Sequence, residues 1–178
     1  MKLEVKKVNS KLKDKGAVKR LMKTAFPENE QIPMYLLKML ALRKNVNFLA
    51  FYDEDKFVGT MYTVESSKCF FILYLAVCSE VRSKGYGGKI LDYAYEMADG
   101  RNIVLNVESP TEIAPNLEQR LKRIEFYKNH DILETGYSFM DDGVLYSVLA
   151  SNVKNFDYSD YENLLSSLSF GKRKFGRK

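Results

Sequence analysis

The chain has 178 residues, 46% of them hydrophobic, with twelve Tyr, eleven Phe and a formal net charge of +5. Apolar content this high excludes a disordered chain, and the length suits one domain around a single core. The charge suits anionic ligands but does not by itself indicate nucleic acid. Two cysteines, Cys69 and Cys78, share one apolar run. They cannot make a disulfide framework, so reduced thiols and a cytoplasmic location are expected. The longest apolar segment is about ten residues against the roughly twenty that a membrane span needs, so no membrane partner is expected. The stretch Met1-Lys-Leu-Glu-Val-Lys-Lys-Val alternates and forms no apolar signal core.

Leu3, Val5 and Val8 alternate as an opening strand. From Asp14 to Phe26 the positions Ala17, Val18, Leu21, Met22 and Ala25 follow helical spacing, closed by Pro27. Pro33 is a favoured first helical residue, and Leu36, Leu37, Leu40 and Ala41 follow it. Strands are predicted at 47–52 and 56–64, joined by Asp53-Glu54-Asp55, then along the apolar run from Cys69. A helix follows from about Gly87 to Ala98. Asn102 to Val107 is the next strand, and its consecutive Ile103, Val104 and Leu105 fit burial on both faces. A charged helix is predicted from about Asn116 to Asn129, with Leu117, Leu121, Ile124 and Tyr127 inward. Leu133–Met140 and Val144–Leu149 flank Asp141-Asp142-Gly143, a hairpin signal. A short helix around Tyr158–Leu168 and a basic tail, Gly171–Lys178, complete the chain. The order predicts an α/β (α+β) fold, a mixed sheet of about seven strands flanked by about four helices. Residues 1–150 form the main domain, and 151–178 a C-terminal helix and tail packed on it or extending from it.

Between the strand ending Leu75-Ala76-Val77 and the helix lies Arg82-x-x-Gly85-x-Gly87-Gly88. A strand, a glycine-rich turn and a helix N-terminus together favour a phosphorylated ligand, because free amides and the helix dipole face it. The triphosphate-binding loop needs Ser or Thr after Gly88-Lys89, where Ile90 stands, and the dinucleotide fingerprint needs glycine there. Both are excluded. A plain glycine-containing turn with solvated cations is the alternative.

The same residues resemble the acyl-CoA pyrophosphate loop of the GNAT family of N-acetyltransferases. The following strand, and the helix carrying Ile124-Glu-Phe-Tyr127-Lys-Asn before a closing hairpin, agree with that family. The chain departs from it at Ser79, Asp131 and Arg120, where members often carry Pro, Gly and Asn. The resemblance implies a mostly antiparallel sheet and acetyl-CoA as co-substrate, without a metal. It implies a small-molecule or peptide amine as acceptor, and a monomer or homodimer. By resemblance, the pantetheine arm lies along Leu75, Ala76 and Val77, and an amide near Val77 faces the thioester oxygen. The Arg82–Gly88 turn (Arg82, Ser83, Lys84, Gly85, Tyr86, Gly87, Gly88) holds the pyrophosphate, and Arg123 adds a coenzyme contact. Tyr127 matches the family's proton donor to the leaving thiolate. Glu108, after its strand, is the candidate base, with Glu65 a second. Cys78 raises a covalent acyl-cysteine route, against which direct transfer in a ternary complex is preferred. The competing reading is a non-catalytic coenzyme- or nucleic-acid-binding module, supported by the basic segment Lys11–Lys23 and the tail.

Overall fold

Seven strands and five α-helices make up the computed structural model, which describes residues 3–111 and 116–167. In chain order they are β1 (Glu4–Lys7), α1 (Lys15–Ala25), α2 (Met34–Leu40), β2 (Val46–Asp53), β3 (Lys56–Glu65), β4 (Cys69–Val77), α3 (Tyr86–Ala98), β5 (Asn102–Glu108), α4 (Leu117–Lys128), β6 (Leu133–Asp141), β7 (Val144–Ala150) and α5 (Tyr158–Ser167). The strand order is β1-β2-β3-β4-β5-β7-β6, mostly antiparallel. Two compact units share β4. The first runs to Glu65 and adds Ile72–Met97; the second holds Ser66–Phe71 and the residues from Ala98 onward.

In the first unit, β2 and β3 form a hairpin closed by Asp53↔Lys56, with Glu54 in the left-handed region at φ 52°. Almost all of Phe48–Tyr52 and Val58–Val64 is buried, so these strands lack the alternation of a half-wet sheet. α1 buries Val18, Leu21 and Met22, and ends where Phe26 turns extended before Pro27. α2 buries Leu37 and Leu40. Its carbonyl at Leu37 accepts the Tyr62 hydroxyl at 3.0 Å. Pro33 sits one residue before the helix with ψ 132°, as its cap and not as its first residue. An added Cβ on Gly59 would lie 2.6 Å from the Ala76 carbonyl oxygen and 2.9 Å from Ile90. Glycine there lets β3 approach the end of β4 and the start of α3.

In the second unit, β7 lies between β5 and β6. The β6–β7 hairpin turns through Asp142 (φ 48°) and Gly143 (φ 77°), the two-residue loop whose twist matches its strands. α5 joins this unit through the Tyr161 hydroxyl on Asn106 Oδ1 at 2.8 Å and the Phe71–Tyr161 ring contact at 5.7 Å. The basic tail lies outside the described residues. One expectation needs correction. On α4, Leu121 is 50% exposed and Arg120 takes the inward position, because Arg120 is drawn to a buried carboxylate at the end of β5.

Burial raises several acids in the core. Tyr52, Tyr127 and Cys69 are each pushed up to about 12, and Tyr62 and Tyr161 are raised as well. Their folded values exceed their unfolded ones, so the stability they carry is complete below the ordinary thiol and phenol values, 9.0 and 10.0. It is lost as pH rises toward about 12. The thermal midpoint should therefore decline steadily above pH of about 9. A midpoint unchanged to about pH 11 would show that these groups ionise without unfolding.

Candidate functional site

The first unit contributes a strand, a turn and a helix start. At the end of β4, Ala76 is buried while Leu75 and Val77 are half-buried on the opposite face. Cys78 donates its N–H to the Val58 carbonyl at 2.9 Å. A single 3-10 turn, Ser79–Val81, then anchors the chain through buried Val81. Arg82, Ser83, Lys84 and Gly85 are exposed. Ser83 (φ 60°) and Gly85 (φ 80°) are both left-handed, and this pair turns the chain into α3. The first backbone bond of α3 runs from Lys89 N–H to the Gly85 carbonyl at 3.2 Å. The N–H groups of Tyr86, Gly87 and Gly88 therefore have no carbonyl one turn back to accept them. Neither glycine places a Cβ in front of them. Arg82, Lys84 and Lys89 add positive charge along the same turn.

The Tyr86 hydroxyl donates to Asp53 Oδ2, which fastens the start of α3 to the β2–β3 hairpin. That bond raises the Tyr86 phenol above its ordinary value. The Lys89 ammonium lies 5.2 Å from the Tyr86 ring centroid. Cys78 is half-buried and directs its Sγ at the Phe57 carbonyl at 3.7 Å. Burial, and then Glu80, push its thiol up. A thiol held protonated is a poor nucleophile, which disfavours the acyl-cysteine route.

The second unit brings Glu108, Arg120, Arg123 and Tyr127 together by packing α4 on β5. Glu108 Oε1 is 3.0 Å from Arg120 Nη2, with both side chains about nine-tenths buried at 8% and 10% exposure. Each of the three Arg120 nitrogens has a partner. Its Nη1 donates to the Ser109 carbonyl and its Nε to Asn116 Oδ1, both at 2.8 Å. Glu108 Oε2 takes a bond from Asn116 Nδ2 at 3.4 Å and lies 3.7 Å from Arg123 Nη1. Arg123, 35% exposed, reaches both this pair and solvent. One turn on, Tyr127 is 8% exposed. Burial raises its phenol to about 12, and the Arg123 charge pulls in the opposite direction. Glu65 accepts from Asn47 Nδ2 at 2.7 Å. Among the described residues no cluster of His, Cys, Asp or Glu has the geometry to hold a metal ion.

The structure therefore joins Arg82–Gly88 to the end of β4, and Glu108 to Arg120 and Arg123, with Tyr127 one turn beyond Arg123 on α4. Sequence reasoning missed three supporting groups. Arg120 and Glu108 are twelve residues apart across a loop, and no spacing rule links them. The Asp53–Tyr86 bond spans 33 residues and leaves no pattern. Gly59 alone carried a signal, as an isolated glycine inside a strand pattern.

The family model described as Acetyltransferase (GNAT) family matches residues 12–130. No curated protein matches the chain in sequence. Solved structures do. A GNAT-family protein from Bacteroides thetaiotaomicron is 24% identical, with a TM-score of 0.73 over 93% of this chain and 95% of its own. An aminoglycoside 6'-N-acetyltransferase complexed with coenzyme A is 13% identical, with a TM-score of 0.64 over 84% and 97%. A GNAT family acetyltransferase from Elizabethkingia anophelis with acetyl-CoA bound is 10% identical, with a TM-score of 0.58 over 83% and 96%. Similarity at these identities concerns the fold.

Proposed function

The chain belongs to the acetyltransferase (GNAT) family, and from that premise we propose that it moves the acetyl group of acetyl-CoA directly to a primary amine in a ternary complex. The observation that carries this reading is the turn before α3. Two left-handed residues and two glycines leave its amides open beside Arg82 and Lys84. Such a turn fits a pyrophosphate, since the ligand's charge meets N–H dipoles and no side chain intervenes. Two of the similar structures hold coenzyme A or acetyl-CoA.

In this reading Leu75, Ala76 and Val77 align the pantetheine arm by backbone pairing, as an added strand would be held. An amide near Val77 faces the thioester oxygen, and one such donor is typically worth about 3 kcal/mol in the transition state. The neutral amine attacks the thioester carbon, the carbon–sulfur bond breaks, the sulfur leaves with the electron pair, and the proton shed by the amine nitrogen passes to solvent water. Tyr127 donates its hydroxyl proton toward that sulfur. With its phenol raised to about 12 the group stays protonated throughout the neutral range. Alkyl thiols such as Cys ionise near about 8.5, so Tyr127 stabilises the thiolate by a hydrogen bond more than by completed transfer. Both carboxylate oxygens of Glu108 already have partners, Arg120 on one and Asn116 with Arg123 on the other. The place of Glu108 in the reading is to fix α4, and with it Tyr127, through Arg120. Arg123 assists coenzyme binding and biases the Tyr127 hydroxyl. The two free cysteines, one buried and one half-buried, support a cytoplasmic setting.

Release of free thiol from acetyl-CoA, across a panel of primary amines, tests the reading. Tyr127→Phe should keep the acetyl-CoA-induced rise in thermal midpoint while kcat falls by about 10²-fold or more. Equal turnover by the two proteins would remove Tyr127 from the reaction. No thiol release with any amine, despite coenzyme binding, would favour the non-catalytic module.

A further inference from the structure

α2 shows two unlike apolar faces. Leu37 and Leu40 are buried, while Tyr35, Met39 and Leu42 are 70%, 51% and 85% exposed. The exposed three are spaced four and then three residues apart. The helical turn continues past Leu40, with Leu42 N–H bonded to the Met39 carbonyl at 3.2 Å and Arg43 N–H to that of Leu40 at 2.9 Å. They therefore form one stripe. The fold holds it outward. The Tyr62 hydroxyl bonds the Leu37 carbonyl, and the Tyr74 hydroxyl bonds the Glu30 carbonyl while accepting the Ile32 N–H. The first bond ties α2 to β3 and the other two tie its approach to β4, with Leu37 and Leu40 turned inward and the stripe outward. Three neighbouring large apolar side chains left in water call for a partner.

Charge says what kind. From Gln31 to Tyr52 the chain carries Lys38, Arg43 and Lys44 and no Asp or Glu. The first 44 residues hold twelve Lys or Arg against four Asp or Glu (Glu4, Asp14, Glu28 and Glu30), although the whole chain is only +5. The Gln31 side chain donates to the carbonyls of Lys23 and Phe26, which ties the end of α1 to the approach of α2. On α1, Lys15, Lys19, Arg20 and Lys23 are all exposed, and the helix contains no acidic residue.

We propose that the α2 stripe of Tyr35, Met39 and Leu42, framed by Lys38, Arg43 and Lys44, seats the protein on an anionic lipid surface. A second copy is disfavoured, since it would bring the same basic segment against itself. A peptide anchor needs a hollow to enter, and these side chains project instead. Projecting aromatic and aliphatic groups beside Lys and Arg suit the boundary between headgroups and acyl chains. The expectation of no membrane partner rested on the lack of a spanning segment. No described helix is long and apolar enough to cross a membrane, and surface attachment requires none.

Co-sedimentation of the full chain with vesicles tests this. Vesicles of phosphatidylcholine with about one-third phosphatidylglycerol should retain the protein, pure phosphatidylcholine far less, and raised salt should release it. Lys38→Glu with Lys44→Glu should lower partition at least about 30-fold, from about fivefold per lost cation. Met39→Ser with Leu42→Ser should lower it at low salt without changing the salt dependence. An unchanged thermal response to acetyl-CoA shows that each variant is folded. Equal sedimentation with both vesicle types overturns the proposal, as does wild-type partition by both variants. Retention on an acidic peptide or a nucleic acid, with none on vesicles, overturns it in favour of that partner.

Discussion

Gly87→Glu is expected to abolish the rise in thermal midpoint that acetyl-CoA gives the wild-type protein. At ligand about a hundredfold above Kd, binding stabilises the native state by about 2.7 kcal/mol. For a chain of this size that is a shift of about 5–10 °C. Gly87 is the second residue of α3, inside the turn whose N–H groups lack acceptors. Glutamate there puts a carboxylate where the ligand's phosphates would sit and offers those N–H groups an internal partner. The free protein should lose nothing by it, since an acidic side chain in a helix's first turn is favoured by about 0.3–1 kcal/mol. Loss of the ligand shift with an unchanged or raised midpoint is thus a binding effect, separable from misfolding. Gly87→Ala adds bulk without charge and should fall between the two. A glutamate variant that still shifts with acetyl-CoA would remove the turn from the coenzyme site.

The elements that sequence made legible are those with a strict period or a forced dihedral. The Asp142-Gly143 turn is one, since both residues must be left-handed. The end of α1 before Pro27 is another. Gly85 is a third, where a left-handed turn leads into a helix. What was not legible depends on partners far apart in the chain. Periodicity placed Leu121 inward on α4, but the stabilisation from burying one leucine, about 1.5–3 kcal/mol, lost to the pairing of Arg120 with Glu108. The candidate proton donor was legible only through its family position. Its phenol is set by surroundings that no neighbouring residue announces. The short 3-10 turns at Glu28–Glu30, Ser79–Val81 and Val153–Asn155 carry no periodicity and escaped as well.

Glu108→Ala should be strongly destabilising to the second unit, and its repair separates structure from chemistry. The variant leaves the Arg120 guanidinium, 10% exposed, without its carboxylate. Breaking a buried pair from one side typically costs about 3–5 kcal/mol. The thermal midpoint should fall by about 6–20 °C. Arg123 adds little to this figure, because at 35% exposure it can turn to solvent. Replacing both partners, Glu108→Leu with Arg120→Met, removes the stranded charge and should restore most of the stability. Asn116 loses two bonds and the Ser109 carbonyl one in that variant, so recovery should stop short of complete. Turnover then decides the role of Glu108. If it only fixes α4, the double variant should acetylate amines at a rate near wild type, with kcat following the recovered stability. If it takes the amine proton, the double variant should be as folded as predicted and still slow, with the alanine variant no slower. A midpoint unmoved in Glu108→Ala would show that the ion pair holds nothing together, and the positioning role would go with it.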